Sequence, residues 1–170
     1  MNQKHMNDLS RDELLDAYRM MVLSRRLDEK EIQLKNQSAT FFQISGAGHE
    51  AVQVAAGMLL RPGYDWIFPY YRDRALCLTL GVSPTTMLLG GVGSAEDPSS
   101  GGRQMPSHWS SRESHIVSPS IATGTQCLHA VGCAEAGVLA ATQRTADKAL
   151  ISAHDDEVVL VSLGEGLSLI

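Results

Sequence analysis

The chain has 170 residues, 44% of them hydrophobic and 19% charged, and a formal net charge of -5. That length suits one domain able to bury a substantial core, and the composition is ordinary for a soluble globular protein. The acidic balance, with no dense Lys/Arg block, excludes a nucleic-acid-binding surface, and no apolar run approaches the ~18 residues of a membrane helix.

Residues 1–9 read as a flexible lead-in, and Met1-Asn2-Gln3-Lys4-His5-Met6 contains no hydrophobic signal core, so a cytoplasmic location is expected. Ser10 followed by Glu13 has the spacing of a capping box, and Leu14, Tyr18, Met21, Leu23 and Leu27 then keep a helical apolar rhythm towards Lys35. Residues 36–47 read as a connection, with Phe41, Phe42 and Ile44 as a short extended apolar piece. A helix is predicted over 50–59, ended by Pro62-Gly63. Residues 65–69 predict a brief strand, 75–80 a short helix, and 84–89 another.

The segment 90–118 is rich in Gly, Ser and Pro and carries Arg103, His108 and His115. A structureless stretch of that length is uncommon inside a compact domain, which makes a functional loop the favoured reading over disorder. Residues 126–141 are small and helical in pattern. The run Glu157-Val158-Val159-Leu160-Val161-Ser162-Leu163 is a strand whose unbroken apolarity predicts cover on both faces, hence a parallel sheet. Cys77, Cys127 and Cys133 are odd in number, match no metal spacing and read as reduced, packed thiols.

Four short stretches carry chemistry, and each has a plain alternative. Gly164-Glu165-Gly166 follows the strand, where open parallel sheets bind ligands. Its glycines let backbone approach a diphosphate, and its carboxylate can hold Mg²⁺; alone it fits a strand-ending turn better. Arg72, in Tyr70-Tyr71-Arg72-Asp73, offers a planar, always charged fork for phosphate, or it pairs with Asp73. His108, in Gly102-Arg103-Gln104-Met105-Pro106-Ser107-His108, can exchange a proton near neutral pH, or is an idle loop histidine. Ser120 to Gln126 holds neutral oxygens that suit a hard monovalent cation, or is a capped helix entry.

Taken together, in this order and spacing, these stretches resemble the alpha subunit of the thiamine-diphosphate-dependent decarboxylating component of 2-oxoacid dehydrogenase complexes. The branched-chain, or 2-oxoisovalerate, branch is the most similar, and the resemblance covers roughly residues 11 to 166. It implies the thiamine-diphosphate-binding α/β fold: a parallel sheet flanked by helices, here incomplete at its C-terminal end, with 10–170 as a partial cofactor-binding domain and 90–118 as its active-site loop. It further implies Tyr71, Arg72, Thr123, Gly164, Glu165 and Gly166 as cofactor-binding residues, Glu165 as the Mg²⁺ ligand, Arg103 and His108 on a substrate loop, and His108 as the catalytic group. Ser120, Ala122, Thr125 and Gln126 map onto a potassium site, although Ile121-Ala122 stands where Ser-Pro is more usual.

The implied reaction is oxidative decarboxylation of a 2-oxoacid with acyl transfer to a lipoyl-bearing acyltransferase component, in company with a beta subunit or fused beta half. The chain reads Leu167-Ser168-Leu169-Ile170 where the family continues its cofactor motif. Hence the expectations are a truncated chain that does not turn over by itself, or a non-catalytic relative keeping only the fold and a partner surface. A small α/β domain that binds some other phosphate ligand at Gly164-Glu165-Gly166 is the remaining reading.

Overall fold

The structure, a computed structural model, describes residues 9–120, 122–143 and 156–164. Helix α1 (Arg11–Asn36) opens on the expected capping box: the Glu13 amide donates to Ser10 Oγ at 3.2 Å, and the Ser10 amide donates to Glu13 Oε2 at 2.8 Å. Two otherwise orphaned amides are satisfied there. The buried face of α1 is Ser24, Leu27, Asp28 and Glu31, at the three- and four-residue spacing of one helical stripe. Leu14 and Tyr18, which open the apolar rhythm, are 47% and 63% exposed in the single chain. Three of the four buried residues are polar, and the seam of α1 is built on ion pairing.

Helix α2 (Glu50–Gly57) and the short helix α3 (Arg74–Thr79) pack on α1 and on each other, with α4 (Pro84–Gly91) against α1. Ser83 accepts from the Thr86 amide at 3.0 Å and Pro84 occupies the first turn, where its missing N–H costs nothing. Strand β1 (Trp66–Phe68) pairs in parallel with β2 (Val159–Val161), in the register Trp66↔Val159, Ile67↔Leu160 and Phe68↔Val161. On its other edge, the Ile67 amide donates to His115 O at 3.0 Å and its carbonyl accepts from the Val117 amide at 2.9 Å. The strand β1 therefore sits between β2 and the end of the loop.

Helix α5 (Thr125–Gln143) lies against both strands. The parallel pairing is as expected. Among the described residues β2 packs on α5 and β1, and Val161 and, just past the strand, Leu163 are 36% and 48% exposed.

The core joins these layers: Leu27 of α1, Ile67 of β1, Leu76, Cys77 and Leu78 of α3, Met87 of α4, and Trp109 and Ile116 of the loop. Burying each such side chain stabilises by roughly 1.5–3 kcal/mol. Burial pushes the Cys77 thiol well up, so it packs as a small neutral hydrophobe. Residues 92–118 contain no helix or named strand but are not loose. Asp97 accepts from the Ser99 amide at 3.0 Å and the Ser100 amide at 3.1 Å, Ser99 Oγ donates to Ser110 O at 3.0 Å, and Ser111 and Ile116 bridge at 2.9 and 2.8 Å. Side-chain oxygens thus replace the ladders this Ser/Gly-rich segment lacks. Among the described residues, no helix is long and apolar enough to cross a membrane.

Candidate functional site

Beyond β1 the chain turns sharply, and Asp73 holds the turn. The Tyr70 amide donates to Asp73 Oδ2 at 2.7 Å, and Gln53 Nε2 donates to Asp73 Oδ1 at 3.0 Å. Burial pushes this carboxyl above its ordinary range, against the Tyr70 amide, which pulls it down. Being occupied in this way, Asp73 is not the counter-ion of its neighbour. Arg72 instead donates from Nη1 to the carbonyl of Ser45 at 2.7 Å, with its guanidinium 5.5 Å from the Tyr71 ring centre. Among the described residues no carboxylate forms a salt bridge with Arg72. The Tyr70 and Tyr71 rings lie 3.9 Å apart. Burial, then the Tyr71 hydroxyl, raises the Tyr70 hydroxyl above the usual tyrosine value, with Arg72 opposing.

The loop brings His108 to this cation. Its ring stacks on Tyr71 at 6.0 Å between centres, and it is 4% exposed. Nδ1 lies 3.0 Å from the carbonyl of Pro106. A carbonyl only accepts, so Nδ1 carries the proton of the neutral ring and Nε2 carries the lone pair. That Nε2 is buried without a partner, and so are Ser107 Oγ and Trp109 Nε1 on either side of it. Orphaned buried polar atoms at three successive positions are unusual in a folded chain and call for a ligand or a role. Ser107 also has a φ of +66°, a conformation non-glycine residues rarely adopt and one that gathers at functional sites.

Phe42, Gln43, Ile44, Ser45, Tyr71, Arg72, Met105 and His108 line one cavity of about 390 Å³, within the size range of small-molecule sites. A guanidinium without a carboxylate partner among the described residues, an imidazole with a free nitrogen and apolar walls make it suited to an anion bearing an aliphatic or aromatic body.

The other expected site residues are distributed around it. Gly164 ends the β2 segment, and a side chain there would run into the Tyr70 ring, so the strand end abuts the tyrosine pair. Gln126 reaches across from α5, its Nε2 donating to Ser162 O at 3.0 Å. Ser120, Ala122 and Thr125 form one turn: the Ala122 amide donates to Ser120 Oγ at 3.3 Å and Thr125 Oγ1 donates to Ala122 O at 2.8 Å. Thr123 is exposed in that turn. Arg103 is exposed, with Nε donating to Ser100 O at 2.8 Å, and it does not line the cavity. Glu165, Gly166 and Ile121 lie outside the described residues, and among those described no group of three His, Cys, Asp or Glu side chains could hold a metal.

Sequence reasoning gave no site role to the wall formed by residues 42–45, read as a connection with a short extended apolar piece, nor to Met105. The available signal was the alternation of Phe42 and Ile44 with Gln43 and Ser45, which is the two-faced pattern of an extended segment with one polar side.

Residues 18–168 match the family model described as the dehydrogenase E1 component, and the chain belongs to that family. It is 41% identical over 129 residues to the 2-oxoisovalerate dehydrogenase subunit alpha of Bacillus subtilis, covering 76% of this chain and 39% of that protein. The 3-methyl-2-oxobutanoate dehydrogenase subunit alpha of Mycobacterium tuberculosis is 33% identical over 165 residues, or 96% of this chain and 38% of that protein. The pyruvate dehydrogenase E1 component subunit alpha of Bacillus subtilis is 32% identical over 133 residues, or 78% of this chain. The chain thus spans 39% and 38% of the length of the first two relatives.

Proposed function

We propose that this chain is the cofactor-binding portion of a thiamine-diphosphate-dependent 2-oxoacid dehydrogenase. Its reaction is the oxidative decarboxylation of a branched-chain 2-oxoacid, with the acyl group passed to a lipoyl-bearing acyltransferase component. Residues 10–170 are then part of a thiamine-diphosphate-binding domain, 90–118 its active-site loop, and a beta subunit or beta half its partner. The observation that carries the reading is the pairing, on one cavity, of Arg72 without a carboxylate partner and His108 with an unpartnered Nε2. The apolar walls Phe42, Ile44 and Met105 favour a branched aliphatic side chain over a small one.

Thiamine diphosphate, when bound, supplies the nucleophilic carbon and electron sink that loss of CO₂ from a 2-oxoacid needs. The Arg72 fork would hold the diphosphate anion, with Tyr71 keeping its guanidinium in place. Gly164 and Gly166 would admit backbone close to it, and Glu165 would hold the accompanying Mg²⁺. Thr123 would contribute to the cofactor site from the turn before α5. Ser120 Oγ, Ala122 O, Thr125 Oγ1 and the Gln126 amide oxygen would be neutral ligands for K⁺, stiffening that turn. His108 Nε2 accepts or returns a proton at the substrate carbonyl side, and Arg103 serves the outer part of the substrate loop.

Titration calorimetry of the intact protein with thiamine diphosphate and Mg²⁺ is the test, followed by CO₂ release from 2-oxoisovalerate and from pyruvate. Saturable binding that requires Mg²⁺, and preference for 2-oxoisovalerate, are expected. Absence of thiamine diphosphate binding by the intact protein would overturn the reading.

A further inference from the structure

The wall of the cavity is anchored from behind. Asp28, on the buried face of α1, accepts from Gln43 Nε2 at 2.7 Å through Oδ1 and from Ser45 Oγ through Oδ2. One carboxylate thus fixes two residues of the extended segment that share a side through their two-residue spacing. The carbonyl of that same Ser45 receives Arg72 Nη1 at 2.7 Å. Gly46 next to it lies so close to Arg72 that an added Cβ would come within 2.8 Å of the Arg72 carbonyl. The path from α1 to the cavity cation is therefore a short series of direct contacts, Asp28 to Ser45 to Arg72.

Asp28 is itself held. Arg74, fully buried on α3, pairs with Glu31 at 2.7 and 2.5 Å and lies 3.6 Å from Asp28, with its guanidinium 5.2 Å from the Trp109 ring. Two carboxylates thus face one guanidinium in a buried place. Glu31 takes both terminal nitrogens of Arg74, while Asp28 gives its two oxygens to Gln43 and Ser45.

We propose that Asp28 is a positioning residue: it orients the Gln43–Ser45 wall so that the Ser45 carbonyl holds the Arg72 guanidinium against the cavity. This deepens the cofactor reading of the site and rests on it. A precise anion site needs a supporting layer that fixes its cation, and loosening such a layer typically reduces affinity by roughly 10–100-fold.

The test is a set of thiamine diphosphate affinities, with Mg²⁺, on the intact protein and on Asp28→Asn, Ser45→Ala and Arg72→Ala, alone and combined. Asn at position 28 keeps the size and shape of the side chain yet cannot accept at both positions, so global melting should hold while affinity falls roughly tenfold. Ser45→Ala keeps the carbonyl but frees it, and serves should the first variant fold poorly; Ser45→Thr, which retains the hydroxyl, should recover most of the loss. In an Arg72→Ala background neither substitution should weaken binding further, since residues acting through one another are not additive. Equal losses in both backgrounds, or no loss from either variant, would overturn the role of Asp28 while Arg72→Ala still weakened binding. An Arg72→Ala protein that binds as the wild type does would remove the cofactor reading, and this inference with it.

Discussion

Arg74 and Glu31, 43 positions apart, meet as a fork-to-fork ion pair at 2.7 and 2.5 Å with both side chains buried. This pair fastens α3 to α1 directly behind the cavity. Removing the cation alone, as in Arg74→Met, would leave Glu31 and Asp28 as facing buried anions. A loss of about 3–5 kcal/mol is expected, read from the denaturation midpoint in urea; a loss below about 1 kcal/mol would mean that the cluster is solvated.

The same cluster sets a pH dependence. Burial raises the Glu31 carboxyl above its usual range, Arg74 opposing and Asp28 assisting. Between the unfolded value and the raised folded one, the folded protein therefore keeps a proton that the unfolded chain has released. Stability from that proton is complete below the unfolded value, about 4.3, and is lost as pH rises through the raised folded value. Unfolding free energies measured from pH 4 upwards should fall less steeply for Glu31→Gln than for the wild type. Parallel curves for the two proteins would contradict the assignment.

At Arg72, charge without geometry is not enough. Arg72→Lys keeps a cation but loses the planar fork, so one of the two ligand-facing or Ser45-facing bonds goes. Charge-assisted bonds contribute about 1.5–3 kcal/mol each, and calorimetry should show thiamine diphosphate affinity reduced about 10- to 100-fold. Unchanged affinity would place the diphosphate elsewhere.

His108→Asn separates chemistry from folding. The imidazole Nε2 has no protein partner to lose, so melting should shift by only a few degrees. Turnover of 2-oxoisovalerate by the intact enzyme should fall about 10²–10⁴-fold, the usual contribution of a positioned proton-transfer group. A variant that melts normally and turns over at the wild-type rate would dismiss His108 from the reaction.

Gly46→Ala tests the close approach of two backbones. The added carbon would lie 2.8 Å from the Arg72 carbonyl, a main-chain atom that has little room to retreat. Overpacking of this kind costs about 1–3 kcal/mol, and because the strain falls on the 45–46 segment, cofactor affinity should drop together with the melting temperature. Retention of both would show that the segment shifts freely.

Much of this arrangement was legible in the residues. Ser10 with Glu13, and Ser83 with Pro84, mark helix starts by side-chain chemistry that acts over three or four positions, and both starts were found where expected. The apolar run around Leu160 signalled a parallel strand, though not how much of it stays open. Tyr71, Arg72 and His108 were marked by motif and do share a cavity. The polar seam of α1 was not legible. Asp28 and Glu31 look like solvent-facing residues until Arg74, Gln43 and Ser45 arrive from distant parts of the chain, and no local pattern announces such partners. The alternation over residues 42–45 marks a polar side there, but not that Asp28 meets it.

The hydrogen bond from His108 Nδ1 to the Pro106 carbonyl spans two residues. The ring's tautomer is thus dictated by the bend that carries it, not by a remote carboxylate. Were the bend to come undone, the imidazole would be released to interchange its two neutral forms, and its identity as donor or acceptor would be lost with the bend. In this chain the order of one loop and the placement of a single hydrogen atom are one variable.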